Sequence, residues 1–124
     1  MNKILILGFH TINLILIIFY LYPRSLLGLL LYDDSSIQPQ ITKDFLISSN
    51  HFYLFIVLSV MGILAYHNTR RIYFLVNYLF FLSIIIELFH MFIPNRSFEV
   101  SDLFGNIMGV VVVFVFYKIQ QKYE

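Results

Sequence analysis

Four long apolar runs, separated by short polar breaks, account for most of this chain. The first, Ile4 to Tyr22, passes about 19 residues without a charge, close to the ~20 an α-helix needs to cross a bilayer. Large residues and a proline follow it instead of a small-residue cleavage site, so it reads as a retained anchor and not a signal peptide. Pro23 and Arg24 end it, and the next apolar stretch, Leu26 to Tyr32, is too short to span. That stretch is expected to lie in the interface, inside an external connection over 23–43 whose Asp33–Gln40 part is polar. In the second run the cleanly apolar part, Phe52 to Tyr66, has only 15 residues. To reach a spanning length its helix must start near Asp44, with Thr42 as N-cap. The third run, Ile72 to Ile93, is stopped by Pro94, and a fourth helix capped by Ser101 or Asp102 runs to about Tyr117. The pattern predicts an all-α, polytopic membrane protein. It is a small bundle of four transmembrane helices, over about 4–22, 44–66, 72–93 and 102–117, in a single domain covering 1–124.

Composition agrees and narrows the field. Of 124 residues, 60% are hydrophobic and 12% charged, where a soluble domain carries about 25% charged residues. There is too little polar surface to cover a soluble globule, and a multi-pass position in a cell membrane, with lipids as neighbours, follows. The net charge is +1 and the basic residues are scattered, which argues against a nucleic-acid partner. The absence of cysteine excludes disulfides, thiolate metal sites and cysteine nucleophiles. Four spans put Lys3, Arg70, Arg71, Lys118 and Lys122 on one side and Arg24, Lys43 and Arg96 on the other. That asymmetry predicts both termini inside.

This topology gathers the costly polar groups. The second helix enters from outside, so His51 lies in its outer part. The third leaves toward the outside, which puts Glu87 and His90, spaced i, i+3, in its last turns. The fourth begins there, with Asp102 and Asn106 spaced i, i+4 in its first turns and Gly105 and Gly109 placed to let a partner helix approach closely. Ionisable groups next to lipid are expensive and mark functional candidates. His10 and Asn13, by contrast, share a face of the first helix and are expected to hydrogen-bond to neighbouring helices.

Three chemistries fit the cluster. Arg96 can pair with Glu87 or Asp102 and lock the outer helix ends together. Glu87 or His90 can carry a proton in acid/base work on a lipid head group. Glu87-x-x-His90 with His51 and Asp102 is also a conceivable metal-ligand set. Di-iron bundles, however, use two Glu-x-x-His motifs, and no His-Glu-x-x-His is present. No metal or other cofactor is therefore expected. No nucleophile turn for a Ser-His-Asp hydrolase is visible, and no reaction is assigned.

The run Glu87-x-x-His90-x-Phe92-x-Pro94-x-Arg96, then Asp102-x-x-x-Asn106-x-x-Gly109, resembles the signature of VanZ-like membrane proteins. The segment His51-Phe52-x-x-Phe55 is similar to that family's first signature. His90 stands where Gln is common, and Ile47-Ser48 stand where Asp-Lys is common, with Asp44 the acid one turn earlier. The resemblance implies an accessory membrane protein of glycopeptide resistance, associated with low-level teicoplanin resistance that leaves the peptidoglycan terminus unremodelled. It points to a lipoglycopeptide or a cell-wall lipid as the partner, met at an outer-facing polar site of His51, Glu87, His90, Arg96, Asp102 and Asn106.

Overall fold

The computed structural model describes residues 2–124, and helices are the only regular elements among them. Helix α1 covers Lys3–Leu21, the short α2 Leu26–Tyr32, α3 Ser49–Tyr66, α4 Ile72–Phe89 and α5 Val100–Tyr123. A 3₁₀ turn, His90–Phe92, extends α4. Counting that turn with α4, four of the helices are long and apolar enough to cross a membrane. The molecule is thus an all-α protein with four candidate spans, as the apolar runs predict.

Helix α3 sits in the middle, packed on α1, α4 and most closely on α5. The core runs along it. Phe9, Leu16 and Tyr20 of α1 meet Phe55, Leu58, Ala65 and Tyr66 of α3, with Leu75, Leu79, Leu82 and Ile86 of α4 and Val110 of α5 closing the other sides. Outward-facing positions such as Leu7, Leu14, Phe74, Phe81 and Phe116 remain exposed and apolar. Such a surface is stable against lipid tails, not water. His10 and Asn13 do bond to neighbouring helices, but to two different ones. His10 Nε2 lies 3.0 Å from the Tyr66 hydroxyl on α3, and Asn13 Oδ1 accepts from the Tyr78 hydroxyl on α4 at 2.8 Å.

Three boundaries differ from the expectation, the simplest being the start of α5, where Glu99 is the N-cap and Ser101 and Asp102 lie inside the first turn without capping it. Helix α3 begins at Ser49, not near Asp44, and Thr42 does not cap it. The segment before it stays irregular because local side chains satisfy its polar groups. Asp44 Oδ1 accepts from Ser49 N–H at 2.8 Å, Ser49 Oγ donates to Thr42 O at 2.6 Å, and Asn50 Nδ2 donates to Pro39 O at 2.6 Å. The Asp44 carboxylate thus serves the first free N–H of α3, where the helix dipole favours an anion. At the other end of the chain, α5 continues to Tyr123, six residues past the expected stop. No Gly or Pro follows Tyr117 to stop it, and its 24 residues rise about 36 Å, more than the ~30 Å hydrocarbon core. Its last turns, with Lys118 and Lys122, are exposed.

Helix α2 is the expected short apolar piece. Ser25 caps it by accepting from Gly28 N–H at 2.8 Å, and Asp33 ends it in a left-handed conformation (φ 54°). The chain then folds back so closely that a Cβ on Gly28 would strike the carbonyl oxygens of Asp34 and Ile37.

Candidate functional site

The ends of α1, α3, α4 and α5 that meet beneath the 93–99 loop enclose one polar cluster. Close approach of α3 and α5 creates it. A Cβ on Gly105 would lie 2.8 Å from Ser48 O, and one on Gly109 would lie 2.7 Å from both Phe52 O and Phe55 Cβ. With only hydrogens at these two positions, the α5 backbone rests directly on α3. Ser48 N–H also donates to Ser101 O at 3.1 Å, which pins the two helix starts together.

Asn106, fully buried, is the hub. Its Nδ2 donates to Ser83 O at 3.1 Å, and its Oδ1 accepts from the Tyr20 hydroxyl at 3.2 Å and from His51 Nδ1 at 3.0 Å. An amide oxygen only accepts, so this network assigns the proton of neutral His51 to Nδ1. His51 Nε2 is left pointing at Asp102 Oδ2, 3.4 Å away. His90 repeats the pattern. Its Nε2 donates to Tyr20 O at 2.9 Å, so Nδ1 is the nitrogen that faces Glu87 Oε2, 3.1 Å away. Each histidine therefore presents its second nitrogen to a carboxylate.

Glu87 is the most costly member, with 0% of its surface exposed. Its Oε1 accepts from Glu99 N–H at 3.0 Å. Its Oε2 has no hydrogen bond, because the His90 ring lies within ion-pair distance but outside hydrogen-bond geometry. Native structures rarely leave a buried carboxylate oxygen unmatched. One ligand atom each from His51, Glu87 and Asp102 lies within 4.8 Å of the others, a spacing open to a metal ion.

Among the described residues Arg96 forms no ion pair, so the lock with Glu87 or Asp102, one of the three chemistries considered above, is not what it makes. Among the described residues its partners are carbonyls. Nε donates to Tyr22 O at 3.0 Å, and Nη2 to Arg24 O at 3.0 Å and Phe19 O at 3.3 Å. The last carbonyls of α1 lack intrahelical partners, and the planar guanidinium fork reaches several of them at once. Together with His90 on Tyr20 O, Arg96 holds the end of α1 against the loop. Burial lowers its pKa from the ordinary value, opposed by the charges of Asp102 and Glu87. The Asn95 backbone that delivers it is left-handed (φ 62°), a conformation asparagine tolerates well.

The structure therefore brings five of the six predicted polar residues, His51, Glu87, His90, Asp102 and Asn106, into one connected cluster, and puts Arg96 beside it in a different role. It adds Tyr20, whose buried ring lies 4.6 Å from that of His51 and is stacked on that of His90. The contribution of α1 to the site escaped the sequence reading. The available signal was depth, since Tyr20 lies near the same end of its helix as Glu87 and His90 do of theirs. Asp44, in the segment before α3, accepts from the first N–H of that helix and does not enter the cluster.

Four apolar helices around a buried histidine, carboxylate and amide cluster make this a small polytopic membrane protein with a polar site at one end of its bundle. The chain belongs to the VanZ/LLP1 family, whose model matches residues 7–121. No curated protein and no solved structure matches it.

Proposed function

We propose that this VanZ-family protein acts in the bacterial cell envelope, in the plasma membrane with both termini inside, and contributes to low-level glycopeptide (teicoplanin) resistance. Its polar site faces outward and meets a lipoglycopeptide or a cell-wall lipid. The observation that supports this most is the convergence of His51, Glu87, His90, Asp102 and Asn106 under one loop. A purely structural bundle gains little from buried charges, whose desolvation offsets their attraction. An amphiphile with a charged, peptide-like body and an acyl tail matches a site that is polar at the loop and flanked by lipid-facing apolar helices.

The test is expression of the chain, and of Glu87→Ala and Asp102→Ala, in a susceptible Gram-positive host. Teicoplanin tolerance that both substitutions remove while membrane levels hold supports the site. Tolerance that survives both substitutions rules it out. Thiol labelling of cysteines placed at Ser97 and Asn68 checks orientation. Position 97 labels from outside and position 68 does not if both termini are inside.

A second reading is favoured by the two histidine–carboxylate pairs, each built to hold a mobile proton: acid/base chemistry on the same amphiphile. It requires a mass change in a membrane lipid or the drug when the protein is present, and identical spectra refute it.

A further inference from the structure

We propose that His51, Glu87 and Asp102 form a binding site for a divalent transition-metal cation of the Zn²⁺ or Mn²⁺ kind. Two independent observations lead there. First, three side chains from three helices, α3, α4 and α5, bring their ligand atoms within 4.8 Å of one another. The His51 Nε2 to Asp102 Oδ2 separation is 3.4 Å, close to the ~3.4 Å between two ligands of one tetrahedral ion with bonds of 2.0–2.2 Å. Second, Glu87 Oε2 is wholly buried and makes no hydrogen bond, since His90 Nδ1, 3.1 Å away, faces it outside hydrogen-bond geometry. A carboxylate oxygen in that state is costly unless a positive charge completes it.

The surrounding groups set these atoms up as ligands. Asn106 Oδ1, 3.0 Å from His51 Nδ1, fixes the tautomer that turns the Nε2 lone pair toward Asp102, the arrangement metal-bound histidines use. Glu99 N–H occupies Oε1 of Glu87, while Oε2 faces His90 Nδ1 without a hydrogen bond. The donor set is one nitrogen and two oxygens, with no cysteine in the chain. It suits Zn²⁺ or Mn²⁺ and not a soft monovalent ion. Three protein ligands leave a coordination position open. An anionic oxygen of the amphiphile proposed above fits that position, and this last step alone rests on that reading. This proposal departs from the expectation above that no metal takes part.

The test uses tag-free protein in detergent micelles, stripped with a chelator and titrated with Zn²⁺ and with Mn²⁺ by calorimetry, with bound metal counted by elemental analysis. The expected result is one ion per chain. Asp102→Asn and His51→Ala should each weaken binding by about tenfold or more, a loss typical even for outer-sphere changes at metal sites. His67→Ala, whose side chain lies at the opposite end of α3, should bind as the native chain does. Glu87→Gln should also lose binding, and Asp102, at the partly exposed rim, remains informative if the Glu87 variant does not fold. Binding unchanged in all three variants, or lost with His67→Ala, or absent from the native chain, overturns the proposal. A chain that binds no metal yet still confers tolerance refutes the metal site alone. A chain that binds one ion and confers no tolerance refutes the glycopeptide role alone.

Discussion

Gly109→Ala tests the closest approach in the bundle. The added methyl would sit 2.7 Å from Phe52 O, 2.7 Å from Phe55 Cβ and 3.1 Å from Ile56 N. The first of these is about 0.7 Å short of ordinary van der Waals contact, deep in the repulsive range. Two of the three atoms are α3 backbone, so no side-chain rotation relieves the clash and α5 must move bodily away. Overpacking of this kind costs about 1–3 kcal/mol, here toward the upper end. Alanine returns roughly 1 kcal/mol through its better helix propensity. The net expectation is a destabilisation of about 1–2 kcal/mol, accompanied by lengthening of the His51–Asn106 and His51–Asp102 separations across the same interface. Gly8→Ala is the matched control. Its methyl would meet only Met61 Cε, at 3.1 Å, the tip of a flexible side chain. That variant should be neutral or more stable by up to ~1 kcal/mol. Equilibrium unfolding in mixed micelles, followed by helical circular dichroism, compares the two. Equal shifts in the two variants, or a Gly109→Ala protein as stable as the native one, would refute the close-packing account.

Other outcomes follow from single contacts. Arg96→Lys should not rescue Arg96→Ala, because an ammonium cannot reach the Phe19, Tyr22 and Arg24 carbonyls together. Both variants should speed proteolysis or hydrogen exchange at residues 19–25. Asn106→Leu leaves the Tyr20 hydroxyl, His51 Nδ1 and Ser83 O without their partner. It should destabilise by about 1–3 kcal/mol, seen as a lower unfolding midpoint in micelles. Asp44→Ala removes the acceptor from Ser49 N–H and should cost about 0.5–2 kcal/mol, with faster exchange confined to the first turn of α3.

Most of the architecture is legible in the sequence. The length and uninterrupted hydrophobicity of the apolar runs decide the span count, because backbone polar groups in lipid must be satisfied within the helix. The spacing Glu87, His90, Asp102, Asn106 and the alternation of span direction placed those residues at one end together with His51. Where helix boundaries differ from the pattern, short-range side-chain bonds or the tolerance of a helix for charge outside lipid decided them. The start of α3 was set by Asp44, Thr42 and Pro39 bonding to Ser49 and Asn50, which offered the chain a non-helical alternative to the extra turn. Helix α5 runs past Tyr117 because charged residues continue a helix readily once outside lipid.

The role of Arg96 shows the division most clearly. From the sequence, an arginine between two helices bearing carboxylates is a salt-bridge donor. In the fold it turns to the end of α1, where several unpaired carbonyls offer the fork more acceptors than either carboxylate. Hydrophobic length and polar spacing, which act along the chain, had already dictated a four-helix membrane protein with acid, amide and imidazole groups at a shared depth. Which group meets which depended on the approach of backbones across Gly105 and Gly109 and on where α1 ends. Those are contacts between segments distant in the chain, and no local period records them.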